Sequence, residues 1–267
     1  MTLHAYGALN GVVMCMSDSL TTRVGLPLRT DTEKTVTYPL DPTTWTPGDL
    51  AAVVMTQGRS EFRTLDDPGN PIEASQVARA ALARGPFVDI AELAKTVYAE
   101  FGRQMLTCPD CRQETEDQRA EFSGLDGSED DDFEGACTFE IEGKLITHEM
   151  EIHIVGLEDP HQPRKRYARR WGGPPDATHL TDIPDRAAFR SGFLAPPRDD
   201  SQALTCTVAQ PLARSSPMFE EMRQWFTATV KDQGLKGKVG GPIRTIILDP
   251  DQGFVRLENW VLPPSYA

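Results

Sequence analysis

The chain has 267 residues, enough for one large domain or two ordinary ones, with a core that needs neither disulfides nor metals. Its formal net charge of −13 disfavours nonspecific binding to duplex DNA, because phosphates are repelled at long range, although a local basic site is compatible with it. We expect no membrane span, since no window approaches about 18 consecutive apolar residues. Five cysteines without a recognisable signal peptide predict a reducing compartment, and hence a chain that is cytoplasmic at synthesis.

The first part of the chain, residues 1–70, is predicted to be rich in short β-strands. Apolar or alternating runs at 11–16, 35–38 and 50–55 are separated by prolines and glycines, which typically mark the connections between strands.

The second part, residues 71–136, is predicted to hold a helical segment followed by an excursion that contains cysteines and acidic residues. Asp89 is a typical helix N-cap. An apolar stripe at helical spacing follows it: Ile90, Leu93, Val97 and Phe101. The acidic run at 129–134 is typical of a solvated loop, because it lacks the alternating ligands and the glycine of a calcium-binding loop.

The third part, residues 137–267, is predicted to be β-rich. A hairpin is expected over 137–156 with its turn at 142–143, and its return strand has two faces. The inner face is predicted to carry His148, Met150, Ile152 and Ile154, and the outer face Glu149, Glu151 and His153. Residues 157–213 show little periodicity and are expected to be irregular.

The C-terminal segment has the clearest local signals. A helix is predicted over 217–233, because Ser216 is a favourable N-cap and proline follows it at the first helical position. Two strands, 243–248 and 254–262, are predicted to pair across a turn at 249–253. The chain as a whole is therefore expected to be an α+β protein, mainly antiparallel β and sandwich- or barrel-like, with a packed C-terminal helix and a helical insertion. Residues 1–70 and 137–267 are expected to form one core.

A CxxC motif, Cys108-Pro109-Asp110-Cys111, is the most distinctive short pattern in the chain. Two thiolates at this spacing can supply half of a tetrahedral zinc site, so structural zinc is a candidate cofactor, with Cys137 as third ligand and His148 as fourth. His153 and Cys206 are alternatives for the fourth position. A reduced CxxC without a ligand role stays open, and a redox site is disfavoured because the motif follows a helix instead of beginning one.

A basic run interleaved with aromatic residues is the second candidate site. Its members are Arg164, Lys165, Arg166, Tyr167, Arg169, Arg170 and Trp171. Cations neutralise phosphates while aromatic rings stack on bases, so the run is a candidate for contact with single-stranded nucleic acid. It could equally dock on an acidic surface of another subunit, or be a solvated loop.

No hydrolase, metalloprotease or nucleotide-binding signature is present, and Gly237-Lys238-Val239-Gly240-Gly241 opens a strand instead of a helix. The five histidines do not cluster at a motif spacing. Nothing in these patterns indicates catalysis, so a non-enzymatic protein is favoured, although missing signatures do not exclude an enzyme.

The last fifty residues follow a recognisable order. A helix with Trp225 and Phe226 leads to an aliphatic strand that ends in Leu248-Asp249, then to Gly253, then to a strand that ends in Asn259-Trp260-Val261-Leu262-Pro263. This order resembles the helix and hairpin of tail-tube and related baseplate proteins from contractile phage tails. It departs from that pattern where Val261 and Leu262 separate tryptophan from proline.

The resemblance implies a β-sandwich or barrel with a packed helix, which assembles into rings around a lumen. The acidic balance of the chain would suit a channel that DNA traverses. The sequence therefore favours a structural, self-assembling virion component, a homo-oligomer or larger assembly, found in the virion. The alternative is a zinc-stabilised nucleic-acid-binding protein that uses the basic run 164–171.

Overall fold

The computed structural model describes residues 3–23, 26–29, 31–46, 48–64, 69–113, 116, 137–141, 144–148, 150–158, 165–169, 179–183, 187–192, 204–205, 220–224, 240–249 and 253–261. The strands are β1 (Leu3–Leu9), β2 (Val12–Ser17), β3 (Thr21–Arg23), β4 (Leu26–Arg29), β5 (Thr35–Tyr38), β6 (Ala51–Gly58), β7 (Glu61–Phe62), β8 (Ile72–Glu73), β9 (Cys137–Ile141), β10 (Lys144–His148), β11 (Met150–Leu157), β12 (Lys165–Arg169), β13 (His179–Asp182), β14 (Ala187–Gly192), β15 (Leu204–Thr205), β16 (Pro242–Asp249) and β17 (Gly253–Val261). The helices are α1 (Ala74–Leu82) and α2 (Ile90–Thr107), with short helical stretches at 109–113 and 220–224.

Two antiparallel sheets dominate the fold, which confirms the predicted α+β class. The first sheet has the strand order β15-β14-β1-β2-β16-β17, and the second has the order β13-β12-β11-β6-β5. Both are open at their edges among the residues described, and three two-stranded ribbons accompany them. The first sheet joins the two ends of the chain, because β16 pairs with β2 at one margin and with β17 at the other.

The two sheets pack face to face, and the helices cover the second sheet. One apolar cluster joins side chains of β1, β2 and β16 to side chains of β6 and β11. A second cluster joins the opposite face of β5, β6 and β11 to α1 and α2. Strand β6 shows the consequence: Val53 and Met55 lie in the first cluster, whereas Ala52 and Val54 lie in the second. Both faces of β6 are covered, which agrees with the unbroken apolar run over its first five residues, 51–55.

Helix α2 forms as its local sequence predicts. The Asp89 carboxylate caps it by accepting a 2.8 Å hydrogen bond from the backbone N–H of Glu92. The predicted stripe faces the core, and all of its members are fully buried: Ile90, Leu93, Val97 and Phe101. The hydroxyl of Tyr98 donates to the carbonyl of Ile152 at 3.2 Å, which ties the helix to β11 of the second sheet.

The expected hairpin at 137–156 is only partly correct. Strands β9 and β10 pair across 142–143 as predicted, but the return strand divides, and β11 joins the second sheet beside β6. Met150, Ile152 and Ile154 face the helices, as predicted for the inner face. His153 is fully buried instead of solvent-exposed, because the opposite face of the second sheet is covered by the first sheet.

The expectation of an irregular segment at 157–213 is wrong where the structure describes it. Strands β12, β13, β14 and β15 lie within this range. These strands have only two to six residues each, and strands this short leave little periodicity in the sequence. One of them, β14, pairs with the distant strand β1 over Leu3 to Ala8. The predicted C-terminal strand pair is present as β16 and β17, and helix 217–233 is present in its described part, 220–224.

The predicted division of the chain into three parts stays a prediction. Neither α1 nor α2, nor any other helix among the residues described, combines the length and apolar character needed to cross a membrane.

Candidate active site

A buried ion pair lies at one end of the two-sheet core. The Lys34 ammonium contacts Asp18 Oδ1 at 3.0 Å, and their side chains are 4% and 0% exposed. The ammonium also donates to the carbonyl of Leu20 at 2.6 Å. Among the residues whose side-chain burial the structure describes, Lys34 is the only buried lysine or arginine. Buried charges need such partners, so each member of the pair requires the other in the folded state.

The ends of three strands position the pair. Asp18 directly follows β2, and Lys34 directly precedes β5. The carbonyl of Lys34 accepts a 2.9 Å hydrogen bond from the backbone N–H of Thr56, which fixes this end of β5 beside β6. Strand β1 begins here too, because His4 pairs with Ser17 in the β1–β2 ladder.

A glycine near the C-terminal end of the chain completes the surroundings of Asp18. The backbone N–H of Gly240 donates to Asp18 Oδ2 at 3.3 Å, and its carbonyl accepts from the backbone N–H groups of Ser19 and Leu20 at 3.2 and 3.0 Å. Gly240 has a φ of +147°, a conformation that residues with a side chain rarely adopt. Residue 240 is therefore a glycine for backbone reasons.

Burial and charge act in opposite directions on Lys34. Removal from water lowers the pKa of the Lys34 ammonium, and the charge and hydrogen bond of Asp18 oppose that shift. The carboxylate thus keeps a cation in a place where burial alone would favour a neutral amine.

Two buried histidines lie between the sheets next to this end of the core. His4 and His153 are both fully buried, with ring centroids 5.9 Å apart. His4 Nε2 lies 3.0 Å from the carbonyl oxygen of Thr56. Burial, followed by repulsion from His153 and Lys34, holds the pKa of His4 well below its usual value. Burial, more than the neighbouring charges, therefore favours the neutral form of His4.

Thr2 immediately precedes β1 in the sequence and lies outside the described residues. In the sequence it is joined by one peptide bond to Leu3, the first residue of β1, and β1 begins at the end of the two-sheet core where Asp18 follows β2 and Lys34 precedes β5. A threonine hydroxyl is a group that proteins use as a nucleophile, particularly where the threonine can supply its own α-amine as base.

The CxxC motif lies at the far end of α2. Cys108 and Cys111 are fully buried, reduced, and part of the apolar cluster under the helices. Cys108 ends α2, and its carbonyl accepts from the N–H of Arg112 at 3.2 Å, because a second helical stretch covers 109–113. The objection that the motif only follows a helix is therefore wrong, since it also begins a helical turn.

Hydrogen bonds single out one of the two sulfurs. The thiol of Cys111, together with the backbone N–H groups of Cys111 and Arg63, lowers the pKa of Cys108 to about 5 despite burial. The same thiol–thiol bond, reinforced by burial, raises the pKa of Cys111. Arg59 adds a nearby positive charge, and its guanidinium contacts Asp110 at 3.5 Å. Of the two sulfurs, Cys108 is thus the one whose surroundings favour the thiolate form.

The predicted metal site is only half described. Cys137 and His148 are cross-strand partners in the β9–β10 ribbon, whose backbone contacts α2, but their side chains lie outside what the structure describes. Within the described part of the chain, no three histidine, cysteine or acidic side chains are close enough to hold a metal ion. The ligand set and the zinc cofactor stay predictions.

The basic run occupies a strand. Residues Lys165–Arg169 form β12, which is hydrogen-bonded on both sides, to β11 and to β13. Arg164, Arg170 and Trp171 lie outside the described residues. The solvated-loop alternative therefore does not hold for 165–169, because the backbone of this segment is paired with strands on both sides. Contact of the run with nucleic acid or with an acidic surface stays a prediction.

Sequence patterns did not identify Asp18 and Lys34. Ser17-Asp18-Ser19 resembles a polar turn after an apolar strand, and Glu33-Lys34 resembles a solvated edge. The one available signal was a lysine directly before an alternating strand. Its burial depends on Asp18, 16 positions away, and through Asp18 on Gly240, more than 200 positions away.

A comparison with protein-family profiles found no match, and a comparison with curated proteins found none either. Solved structures do resemble the chain. An Anbu (Gly-1) mutant from Hyphomicrobium sp. strain MC1 matches with a TM-score of 0.52 at 13% identity, over 100% of this chain and 90% of that one. Anbu from the same strain matches with a TM-score of 0.48 at 13% identity, over 97% and 88% of the two chains. Anbu (ancestral beta-subunit) from Yersinia bercovieri matches with a TM-score of 0.44 at 14% identity, over 96% and 87%.

The first of these matches overturns the resemblance to contractile phage tail-tube and baseplate proteins. The first match covers the whole chain and shows an Anbu-like fold, whereas the tail resemblance rested on the C-terminal helix and hairpin alone. That local order is common to many sheets, and here β16 lies inside the first sheet, between β2 and β17. The virion component and the zinc-stabilised nucleic-acid-binding protein are therefore both wrong as functions.

Proposed function

We propose that this protein is an amide hydrolase whose nucleophile is the hydroxyl of Thr2, activated by the free α-amine of the same residue. Cleavage of the peptide bond before Thr2 would create that amine. The observation that supports the proposal is the buried Asp18–Lys34 pair, 3.0 Å apart, at the end of the two-sheet core where β1 begins, one residue after Thr2 in the sequence.

The chemistry takes two steps. The α-amine accepts the hydroxyl proton while the Thr2 oxygen attacks the carbonyl carbon of a bound amide. The tetrahedral intermediate collapses, the C–N bond breaks, and the ammonium returns its proton to the departing amine. Water, deprotonated by the same α-amine, then attacks the ester. The acid is released, and the Thr2 hydroxyl regains its proton.

Lys34 and Asp18 would set the electrostatics of this centre. A cation beside the α-amine disfavours protonation of the amine and so keeps it available as a base near neutral pH. The same cation stabilises negative charge that develops on the Thr2 oxygen during attack. Asp18 holds Lys34 in position and counteracts the effect of burial on its pKa.

The test begins with the state of Thr2. Intact-mass analysis and N-terminal sequencing of the purified protein are expected to show threonine at the N-terminus. A peptide epoxyketone, which reacts with the hydroxyl and the α-amine of an N-terminal threonine together, is then expected to add once per chain. Digestion should locate the adduct on the peptide that starts at Thr2.

Matched variants separate chemistry from folding. Thr2→Ala should abolish both labelling and hydrolysis of fluorogenic peptide amides, whereas Thr2→Ser should keep measurable labelling because it keeps the hydroxyl and the amine. Lys34→Met should reduce labelling by about a hundredfold or more if the cation supports the nucleophile. A chain with a free Thr2 amine that neither reacts with the epoxyketone nor hydrolyses any peptide amide would overturn the proposal.

A further inference from the structure

The two cysteines of the CxxC motif are held side by side. Cys108 directly precedes the helical stretch 109–113, Cys111 lies within it, and the Cys108 carbonyl accepts from the N–H of Arg112 at 3.2 Å, so the two cysteines are neighbours across one turn. The thiol of Cys111 donates a hydrogen bond to the sulfur of Cys108, so the two sulfur atoms are in contact while both residues stay reduced. Little movement separates this arrangement from a disulfide bond.

The surroundings favour reaction at Cys108. Its sulfur accepts hydrogen bonds from the backbone N–H groups of Cys111 and Arg63, and the Arg59 guanidinium lies close by. Asp110 holds Arg59 and Arg63 at 3.5 Å each and keeps both arginines beside the motif.

Burial limits what can react there. Both cysteines are fully buried, while Pro109 and Asp110 between them are partly exposed, so the sulfurs lie just beneath the surface. A protein disulfide or a large thiol reagent cannot reach them without local opening. Hydrogen peroxide is much smaller than those reagents, so a smaller local opening admits it.

We propose that Cys108 and Cys111 form a peroxide-reactive dithiol that converts reversibly to an intramolecular disulfide. The Cys108 thiolate attacks one oxygen of hydrogen peroxide, the O–O bond breaks, and the released hydroxide takes a proton to become water, leaving a sulfenic acid on Cys108. The Cys111 sulfur then attacks the Cys108 sulfur, the S–O bond breaks, and the thiol proton leaves with the hydroxyl as a second water. The cysteines are oxidised by two electrons and one peroxide is reduced. A dithiol reductant reverses the change.

The chain carries its own control. Cys15 is also buried and reduced, but it lies between the two sheets, where burial raises its pKa. The protein should be exposed to hydrogen peroxide at neutral pH, quenched by alkylation in denaturant, digested and analysed by mass spectrometry. We expect the peptide with Cys108 and Cys111 to lose two hydrogens and escape alkylation, at a rate at least about tenfold above oxidation of Cys15.

A second variant guards against misfolding. Cys111→Ser keeps the attacking sulfur and removes the resolving one, so a dimedone adduct should accumulate on Cys108, whereas Cys15→Ala should oxidise like the parent chain. Alkylation of both motif thiols after a treatment that oxidises the unfolded chain would overturn the proposal. A disulfide from Cys108 to any cysteine other than Cys111 would do so too, as would one equivalent of tightly bound zinc that blocks oxidation. None of these results bears on Thr2.

Discussion

The buried ion pair between Asp18 and Lys34 makes a quantitative prediction. At 3.0 Å the attraction between unit charges is about 5–6 kcal/mol if the effective dielectric constant is about 20. Desolvation of both groups offsets much of this energy in the intact pair. Removal of one partner leaves the other buried without compensation. We therefore expect Asp18→Asn or Lys34→Met alone to lower the free energy of unfolding by about 3–5 kcal/mol.

The pair can be isolated by a double-mutant cycle. Asp18→Asn, Lys34→Met and the double variant should be unfolded in urea at pH 7 and followed by circular dichroism. The double variant should recover part of the loss, because neither charge is then left alone, and the coupling energy should be at least about 2 kcal/mol.

A surface pair offers the matched control. Arg223 contacts Glu220 at 2.6 Å, but their side chains are 44% and 47% exposed. Its coupling energy should stay below about 1 kcal/mol, because water screens the interaction and the side chains lose rotamer freedom. If the Asp18–Lys34 cycle gave a coupling below about 0.5 kcal/mol, the argument that burial makes this pair indispensable would be wrong.

Three further predictions concern the fold. Burial depresses the pKa of His4, so on acidification the unfolded chain binds a proton at a higher pH than the folded chain does. The stabilisation should therefore be fully present above the ordinary histidine pKa of about 6.5. Below that pH the free energy of unfolding should decrease, by up to about 1.4 kcal/mol per pH unit. His4→Gln should flatten that slope in urea titrations from pH 7 to pH 5, and an unchanged slope would contradict the assignment. Gly156→Ala should lower stability by about 1–3 kcal/mol, because a Cβ there would collide with the backbone of Ala51, and a thermal midpoint equal to that of the parent would argue against the close approach. Asp89→Ala should lower stability by about 1 kcal/mol through loss of the N-cap of α2, whereas Asp89→Ser should lower it less.

Local features of the chain were predictable because local physics produces them. The Asp89 cap and the stripe through Phe101 depend on spacing along one helix, and the strands at 243–248 and 254–262 depend on alternation around one turn. The same reasoning failed for His153. Alternation correctly placed it opposite Ile152, but a second sheet, supplied by distant strands, covers that opposite face.

The candidate active site was not predictable from local patterns. Lys34 follows a glutamate and precedes a threonine, which is typical of an exposed strand edge. Its burial requires Asp18 from the end of β2, and Asp18 in turn requires the backbone of Gly240, 222 residues away along the chain. The cysteine pair was partly predictable. Its i, i+3 spacing is local, whereas the Arg63 backbone N–H and the Arg59 charge beside Cys108 come from a different segment.

The sequence by itself determined helix α2, the C-terminal strand pair and the position of the CxxC motif, since each depends on residues within a few positions of one another. The tertiary structure alone decided which strands are neighbours, which faces are covered and which charges are buried. Those outcomes depend on contacts between segments far apart in the chain, and a one-dimensional pattern does not record them.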